Sequence, residues 1–538
     1  MGAAIPTRVP GISAAWGTCE ARPPRRPGVL TLGAADAAAT PRLRGAGIRL
    51  DAILLTLVLS VALILDLSHL GAQSLHDDEA IYAIAAREAA VHGHWYPLRW
   101  GNGQLFINKP PLAIWPVALS FHFAGVGEAA DRLPSAVAGA ALAGIVYVFG
   151  SWLLGPWTGL LAATLLATCR PWLFRHGARE GVGDPLLCLL LTAALLLYLR
   201  YRSTGSRAWL GGACAAALLA ALVKGAFGPV VLGAVTAVWE LLMSVRARRW
   251  RQVAARLAAP AALAATGIAA YSLWLLDSGR RGAGIAAFLY RDVFLRVTRG
   301  LDWHHVHGAG FYPEVLGKAF GHWWPAIVPA AVWLWRGSLQ DGPRMRAALL
   351  VGVWPIVVLA ILSASVSTLP WYLDPALPPI AILLAAGCGE VGRLLARWRV
   401  APLGFALLLG VLVGLRGRFA WQTLDQPMRL GPMHRFVLAF RQLPDARLYL
   451  ELGNRTEGRL QPWDAFYLAE LDSVSRPLPP ELPAAPACAF VIAERPAEAA
   501  ARLHAERWYA APLDGRSPSP AHLYLVDCCG GRLGRDFD

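Results

Sequence analysis

Long apolar stretches, separated by short polar segments, fill the chain from about residue 50 to residue 416. A helix needs about 20 such residues to cross the roughly 30 Å hydrocarbon layer of a membrane. The segment 133–169 contains no charged residue and is too long for one helix, so it predicts a helical hairpin that turns near Gly155 and Pro156. Together the pattern predicts eleven membrane spans, at 52–70, the two arms of 133–169, 185–199, 208–223, 226–243, 257–276, 319–335, 347–363, 369–388 and 400–415.

Eleven spans place the two chain termini on opposite sides of the membrane. Arginines cluster in the N-terminal segment and in alternate connections, at 200–207, 246–256, 336–346 and 393–399. Positively charged connections remain in the cytoplasm, so this pattern predicts a cytoplasmic N-terminus. The opposite, outer face then carries the loops 71–132 and 277–318 and the chain from 417 onward.

The polar parts differ in character. Residues 1–49 are rich in Ala, Pro, Gly and Arg, which is typical of a flexible tail. Residues 417–538 hold short apolar runs at 447–452, 489–493 and 522–526 and predict a small C-terminal α/β domain outside the cytoplasm. We therefore expect a tail (1–49), an all-α polytopic membrane domain of about 11 to 13 helices (50–416) and a C-terminal periplasmic domain (417–538).

Composition narrows the class of protein. Hydrophobic residues make up 56% of the 538 and charged residues 16%, and the mean hydropathy is +0.45; these values exclude a disordered chain and an ordinary soluble enzyme. The net charge of +15 follows the predicted topology, so we expect membrane lipids and no nucleic acid as partners. In the C-terminal part, Cys488 could pair with Cys528 or Cys529 in one disulfide, and the sequence leaves the choice open.

The first outer loop holds a dense polar cluster. It begins with the short amphipathic segment 77–91, which predicts a helix lying in the plane of the membrane surface, and a second short helix is expected to start at Lys109 and the prolines that follow it. The simplest interpretation is that Asp77 or Asp78 caps the first helix. That interpretation leaves unexplained why one of only three lysines shares this loop. A carboxylate near a cation at the membrane surface suits an acid/base group beside a phosphate clamp.

Several motifs in this loop and after it occur in an order that resembles a known family. HDDEAIYAIAARE (76–88), NKPPL (108–112) and DRLPS (131–135) are similar to the first periplasmic loop of the GT-C glycosyltransferases of the ArnT-like and protein O-mannosyltransferase group. REGVGD (179–184), VKG (223–225), the segment 290–296 followed by Phe311 and Tyr312, and LPWYLDPALP (369–378) follow in that family's order. The resemblance covers roughly residues 50–400. It implies a GT-C fold with interfacial helices and a cavity toward the outer leaflet.

The resemblance also implies an activity and a site. A sugar would pass from a polyprenyl-phosphate carrier to a lipid A, protein or glycan acceptor on the periplasmic face of the bacterial inner membrane. Carried over by motif, the catalytic residues would be the base Asp78 with its neighbour Glu79, and the supporting Asp184. The residues that hold the donor and its phosphate would be Lys109, Lys224, Arg296, Tyr82 and Tyr372.

Some positions depart from the family's pattern. Asn108 and Val293 stand where some members carry Glu and His linked to metal binding, so we expect no metal in the site and no required cofactor, a divalent metal being the disfavoured alternative. Ile81 and Thr368 replace an arginine and a lysine of the lipid-A-modifying members, which disfavours aminoarabinose as the sugar. The predicted membrane domain, residues 50–416, has no DxD motif, and this disfavours a metal-held nucleotide sugar as donor.

Plainer interpretations compete with several of these assignments. Asp184 could simply start a span, Lys224 could end one by extending toward the surface, and Lys318 suits that plain role better than a catalytic one. The histidines at 304, 305 and 307 are typical of polar surface. The alternative function is a transporter or flippase of a lipid-linked anion, for which paired repeats and mid-membrane charges would be expected.

Overall fold

The structure, a computed structural model, describes residues 45–527 apart from gaps at 102, 301–305, 309, 339–341, 399–400, 425–429, 444–446, 452–465, 468, 470–474, 478–487, 494–495, 504–508 and 513–523. The chain divides into two compact units, residues 1–46 and 47–538. Of the first unit only residues 45 and 46 are described, and they begin helix α1. The predicted tail and the cysteines at 528 and 529 therefore lie outside the described residues.

The membrane part is helical throughout. Its helices are α1 (Gly45–Leu67), α2 (Asp77–His92), α3 (Trp115–Ala124), α4 (Glu128–Leu154), α5 (Pro156–Ala167), α6 (Arg170–Phe174), α7 (Asp184–Thr204), α8 (Arg207–Lys224), α9 (Phe227–Arg246), α10 (Val253–Arg280), α11 (Ile285–Phe288), α12 (Arg296–Thr298), α13 (Phe311–Phe320), α14 (Ile327–Ser338), α15 (Pro343–Ser363), α16 (Leu377–Leu395) and α17 (Ala401–Leu424). Short 3₁₀ segments occur at Pro111–Ala113, Trp250–Gln252, Gly321–Ala326 and Pro370–Ala376, and a π-helical segment at Leu289–Leu295.

Nine helices within the described residues are long and apolar enough to cross a membrane. They confirm a multi-pass membrane protein. The other two predicted spans correspond to shorter elements. One is α5, which begins directly after the turn predicted near Gly155, where φ is +96°, so that the predicted hairpin is confirmed.

The second is the predicted span 319–335, which the structure replaces by a broken helix. α13 ends at Phe320, Gly321 adopts a φ of +51°, and a 3₁₀ segment containing Pro325 leads into α14. A proline inside a helix lacks the amide hydrogen and clashes with the preceding turn. The predicted span 319–335 is therefore divided between the end of α13, the 3₁₀ segment and α14 and does not form one continuous α-helix.

The first loop contains both predicted helices. α2 covers the segment 77–91 for which a helix was predicted, and the second short helix begins at Pro111. The C-terminal part forms one mixed sheet with strand order β2-β1-β3-β5-β4, in which β1 pairs in parallel with β2 and β3, and β5 runs antiparallel to β3 and β4. The strands are β1 (Arg447–Glu451), β2 (Ser475–Pro477), β3 (Ala489–Ala493), β4 (Tyr509–Pro512) and β5 (Tyr524–Asp527), with helices α18 (Pro432–Phe440) and α19 (Pro496–Arg502).

The sheet domain packs directly on the first loop. Buried side chains of α2 and α3 share one apolar core with those of α18, β1 and β3. At its edge Arg87 of α2 donates to the carbonyl oxygen of Ala469 over 2.5 Å, and the Tyr467 hydroxyl accepts from the Leu75 amide over 2.8 Å. Cys488 is disulfide-bonded, to a cysteine outside the described residues. These contacts tie α2 and the start of the first loop to the sheet domain.

Candidate active site

An antiparallel pair of helices brings the first two charged residues of the site together. α7 starts at Asp184 and α8 ends at Lys224, so the two residues occupy the same end of the pair, where the Lys224 ammonium forms an ion pair with the carboxylate of Asp184. A carboxylate at a helix N-terminus and a cation at a C-terminus are each stabilised by the helix dipole. Gly225, with φ +67°, then ends α8 sharply, because residues with a Cβ rarely adopt that conformation. We call this end of the bundle the loop face.

A histidine that the sequence reasoning missed flanks this pair. His176 Nδ1 lies 3.7 Å from Asp184 Oδ2, and its ring stacks on the Trp371 ring with centroids 3.9 Å apart and planes 7° from parallel. His176 is buried and has a φ of +54°, a strained conformation that the surrounding contacts must maintain. The closest signal in the sequence was its position just before the REGVGD motif. Nothing in the sequence indicated the Trp371 stack.

Asp78 lies on the first turn of α2 and is half-buried. Its Oδ2 accepts a hydrogen bond from the Tyr82 hydroxyl over 3.0 Å, as expected for residues four apart on one helix face. The residue that precedes the helix is His76, which makes no side-chain capping bond, and Asp77 has a φ of +47°. The acids of this turn therefore stabilise the helix through its dipole. The carboxylate of Asp78 is in addition held by the hydrogen bond from Tyr82.

Three cations and two tyrosines surround these carboxylates. Lys109 Nζ lies 5.7 Å from the centroid of the Tyr82 ring, and Lys224 Nζ lies 5.5 Å from that of the Tyr372 ring. Arg296 donates to the Tyr372 hydroxyl over 2.7 Å. Both lysines thus lie within the distance at which an aromatic ring attracts a cation.

The charges act on one another, which shows that the first-loop residues and the helix-end residues form one cluster. Burial lowers the pKa of the Lys109 ammonium, and the charge of Lys224 lowers it further, while Asp78 and Asp184 oppose the shift and Arg296 adds to it. Burial also raises the pKa of the Tyr82 hydroxyl well above its usual value, and the carboxylate of Asp78 adds to this. The structure therefore brings together seven predicted residues, namely Asp78, Tyr82, Lys109, Asp184, Lys224, Arg296 and Tyr372.

Glu79, the eighth predicted residue, has different surroundings. Its side chain is 1% exposed and accepts two hydrogen bonds from Arg132, from Nε over 2.5 Å and from a terminal nitrogen over 2.9 Å. Burial alone would raise the pKa of this carboxyl, but the charge and hydrogen bonds of Arg132 hold it well below its usual value. Arg132 also donates to three backbone carbonyls at the start of the loop, those of Leu70, Gln73 and Ser74. Glu79 thus ties α2 to α4.

The same carboxylate anchors the segment that leads to Asp184. The amide of Gly181 donates to Glu79 Oε1 over 2.9 Å. A Cβ at position 181 would lie 1.6 Å from Oδ2 of the fully buried Asp131, so only glycine fits. The backbone of the REGVGD motif therefore approaches α2 and α4 more closely than any side chain would allow.

We expect Gly181→Ala to lower the free energy of unfolding by about 1–3 kcal/mol, because the added methyl group must displace Asp131 or the loop. The thermal unfolding midpoint in detergent measures the effect. Gly308→Ala is the control, since nothing lies within 4 Å of a Cβ there, and equal midpoints for the two variants would contradict the close approach.

Asp374 is a further member of the cluster. It lies in the 3₁₀ segment before α16, is 1% exposed, and interacts electrostatically with Asp184 and Lys224. Its Oδ2 has no hydrogen-bond partner among the described residues. An acid within an apolar stretch is a functional candidate, and the structure places this one close enough to Asp184 and Lys224 to interact with their charges.

The described residues include no group of three or more His, Cys, Asp or Glu side chains that could hold a metal ion. The histidines at 304 and 305 lie outside the described residues. His307 Nδ1 lies 2.9 Å from the Thr368 hydroxyl, and its ring stacks on Phe311. Asp78 and Asp184 are each engaged by donors and lie among cations, which is a poor environment for a second, metallic charge.

Comparison with known proteins agrees with the motifs. Residues 108–274 match the family model described as dolichyl-phosphate-mannose-protein mannosyltransferase. The chain is 27% identical to an undecaprenyl phosphate-alpha-4-amino-4-deoxy-L-arabinose arabinosyl transferase of Pseudomonas aeruginosa. The alignment spans 360 residues, which are 65% of this chain and 62% of that protein. The chain therefore matches somewhat less than two thirds of this relative's length.

Solved structures show the same fold. ArnT from Cupriavidus metallidurans, crystallised with undecaprenyl phosphate, superposes with a TM-score of 0.59 at 18% identity and covers 90% of this chain and 99% of its own. The oligosaccharyltransferase AglB from Archaeoglobus fulgidus superposes with a TM-score of 0.52 at 13% identity, over 82% of this chain and 69% of its own. The chain thus has the GT-C fold, and its similarity to the ArnT-like and protein O-mannosyltransferase group is confirmed.

Proposed function

We propose that this protein is a glycosyltransferase that transfers a sugar from a polyprenyl-phosphate carrier to an acceptor hydroxyl at the loop face of the membrane. The observation that carries this proposal is the convergence of two carboxylates and three cations where the helices meet α2. A transferase of this kind needs a base for the acceptor and donors for the departing phosphate. The confirmed similarity to lipid-linked sugar transferases supports the same activity.

Asp78 is the base in this proposal. It is half-buried, and its described hydrogen-bond partner is the Tyr82 hydroxyl, which leaves carboxylate lone pairs for an incoming hydroxyl. As the acceptor oxygen attacks the anomeric carbon, its proton passes to Asp78. The bond from that carbon to the phosphate oxygen breaks, and the electron pair leaves with the polyprenyl phosphate.

The cations receive the charge that develops on the phosphate. Lys224 and Arg296 both repel the Lys109 ammonium, so an anionic phosphate bound beside Lys109 relieves this repulsion. Tyr372 fixes Arg296 through its hydroxyl and supports Lys224 through its ring. Asp184 balances Lys224 and keeps it oriented, with His176 on the other side of the carboxylate.

Glu79 is a positioning residue in this proposal. Its carboxylate is engaged by Arg132, by the Gly181 amide and by His76, whose Nδ1 lies 3.3 Å from Glu79 Oε2, so it has no capacity left for substrate. It fixes the first turn of α2, which carries Asp78, against the loop that carries Asp184. The reaction as proposed uses no metal and no cofactor.

The transport alternative receives less support. A flippase of a lipid-linked anion would place its charges near the middle of the membrane. The charged cluster lies instead at helix ends, with Asp184 first in α7 and Lys224 last in α8.

The setting proposed for the reaction is the bacterial inner membrane, with the loop face and the C-terminal domain in the periplasm. This follows from the arginine-rich connections, which favour the cytoplasm. The donor is a polyprenyl-phosphate sugar. The acceptor is a lipid, a protein or another glycan.

Release of free polyprenyl phosphate tests the proposal. The purified protein is given a panel of polyprenyl-phosphate sugars with crude envelope acceptors, and release that depends on protein and acceptor is the expected result. Protein-dependent movement of the lipid across vesicles, with no release from any donor, would favour transport instead.

We expect Lys109→Met to weaken donor binding roughly 10- to 100-fold, as a rise in the KM for the lipid donor, because one charged hydrogen bond to phosphate is lost. Lys318→Met is the matched control, since Lys318 is 70% exposed and pairs with Glu314. An unchanged KM in Lys109→Met would remove this lysine from the phosphate site.

A further inference from the structure

The start of α2, which carries Asp78, lacks the usual means of fixing a helix N-terminus. His76 precedes the helix and makes no side-chain capping bond. Asp77 then adopts a φ of +47°, in the left-handed region that residues with a Cβ rarely adopt unless their surroundings maintain it. The orientation of the Asp78 carboxylate therefore depends on groups outside α2 that hold the chain just before it.

Two residues of the C-terminal domain hold the chain at this point. The Tyr467 hydroxyl accepts a hydrogen bond from the Leu75 amide over 2.8 Å. His434 Nδ1 lies 3.0 Å from the hydroxyl oxygen of Ser74, and this oxygen also accepts from the Gly431 amide over 2.8 Å. Both anchored residues of the first loop lie within four positions of the proposed base. The C-terminal domain thus fixes the chain directly before α2.

The first turn of α4 joins the same contacts. The Tyr467 hydroxyl donates to Glu128 Oε1 over 2.8 Å, and His434 Nδ1 lies 3.2 Å from the same oxygen. The rings of His434 and Tyr467 stack with centroids 4.2 Å apart and planes 13° from parallel. Arg132, which binds Glu79, lies four residues after Glu128 and so on the same face of α4. We call the side chains that meet here the α2 junction, namely Ser74, Glu128, His434 and Tyr467.

The α2 junction is largely shielded from water. Tyr467 is 2% exposed, and the side chains of His434 and Glu128 are 12% and 16% exposed. Water competes little for hydrogen bonds in such surroundings, so a fully bonded network there is rigid. Further along α2, Arg87 donates to the Ala469 carbonyl of the C-terminal domain over 2.5 Å. These two attachments together set both the position and the direction of α2.

We propose that the C-terminal domain positions the base of the reaction, because the α2 junction sets the orientation of Asp78 toward the acceptor hydroxyl. This inference rests on the proposed sugar transfer, and it makes Ser74, His434 and Tyr467 positioning residues that act through Asp78. Proton transfer to a base depends on its alignment with the acceptor. A disturbed junction should therefore slow the chemical step and leave the binding of the lipid donor unchanged.

Tyr467→Phe tests the inference in the purified full-length protein, with the donor that the release assay identifies. The variant loses the hydroxyl but keeps the ring that stacks on His434, so the fold is expected to persist. We expect kcat for polyprenyl phosphate release to fall about 10- to 100-fold, since a misplacement of about 1 Å can cost this much. The KM for the donor should stay near the wild-type value. Tyr449→Phe is the matched control, because Tyr449 is also buried but belongs to a separate core of the C-terminal domain.

A second pair of variants changes the loop side of the junction. Ser74→Ala removes the hydroxyl that contacts His434 and the Gly431 amide, and it should lower kcat in the same way. Ser74→Thr keeps a hydroxyl and should retain most of the wild-type kcat. In an Asp78→Asn background, neither Tyr467→Phe nor Ser74→Ala should lower the residual release further, because a positioning residue acts only through the base.

Hydrogen–deuterium exchange gives a measurement that does not depend on activity. The amides of residues 74–80 are expected to exchange about tenfold faster in Tyr467→Phe and Ser74→Ala than in the wild type and Tyr449→Phe. Absence of release from every donor in the wild type would contradict the proposed function. The exchange rates would then still decide whether the C-terminal domain fixes the start of α2.

Three results would overturn the inference. Unchanged exchange over residues 74–80 in Tyr467→Phe and Ser74→Ala would show that the α2 junction does not fix the start of α2. Faster exchange with a wild-type kcat would show that fixing the start of α2 does not position Asp78. A further loss of the same size in the Asp78→Asn background would mean that the junction acts through another group.

Discussion

Asp78→Asn is expected to lower the rate of polyprenyl phosphate release by about 10²- to 10⁴-fold, the usual contribution of a general base. The amide has nearly the shape of the carboxylate, and its oxygen can still accept the hydrogen bond from the Tyr82 hydroxyl. It cannot take up the proton of the acceptor. The loss should therefore appear in kcat, with little change in the KM for the donor.

The neighbouring acid supplies the control for this variant. Asp77 shares the first turn of α2, and its φ of +47° is a conformation that asparagine tolerates well. Asp77→Asn changes the charge of the turn by the same amount and should keep most of the activity. A similar loss in both variants would mean that the charge of the turn matters and that Asp78 has no special role as a base.

Arg132→Met is expected to lower the free energy of unfolding by about 3–5 kcal/mol, because it leaves the Glu79 carboxylate buried without its ion-pair partner. The double variant Glu79→Gln with Arg132→Met should recover part of this loss, since it buries no charge. Thermal unfolding in detergent measures both. Arg99→Met is the matched control, because Arg99 is partly exposed in the same loop and its side chain donates to a backbone carbonyl, that of Gly103, with no carboxylate partner among the described residues.

The stabilisation by Glu79 should also depend on pH in a defined direction. Its pKa in the folded protein lies below the ordinary value of 4.5, so the folded state binds fewer protons here than the unfolded state. The contribution is then fully present above pH 4.5 and declines as the pH falls below that value toward the lowered pKa. The difference in stability between the wild type and Arg132→Met should narrow over the same interval. A constant difference down to the acid limit would contradict the ion pair.

Much of the fold follows from the sequence because it depends on local properties. Charge-free stretches of sufficient length predict spans, and Gly155 followed by a proline predicts the turn between α4 and α5. The length of an apolar stretch does not predict a span reliably when glycine and proline interrupt it. The predicted span 319–335 is such a case, because the structure shows a broken helix there. The prolines and glycine were visible, but whether a break bends or ends a span depends on the packing around it.

Part of the site also follows from the sequence. Asp78 and Tyr82 are four residues apart on one helix, so their contact is a consequence of helix geometry. Asp184 starts one span and Lys224 ends the next, and because consecutive spans run in opposite directions the two residues must share one membrane face. The three lysines are candidates for a specific role because the other basic residues among the 50 are all arginine.

Tertiary structure alone decided which side chains of the site come into contact. Asp78 and Glu79 are adjacent acids, and nothing in their order reveals that one contacts Tyr82 while the other is buried against Arg132. Helix geometry turns neighbouring side chains about 100° apart, but which of the two faces the cations depends on how α2 packs against α4 and the C-terminal sheet. The His176 and Trp371 stack joins residues almost 200 positions apart. The sequence determined which groups are available at the loop face, and the packing of distant segments determined which of them meet, because contacts between distant residues leave no local periodicity or spacing to detect.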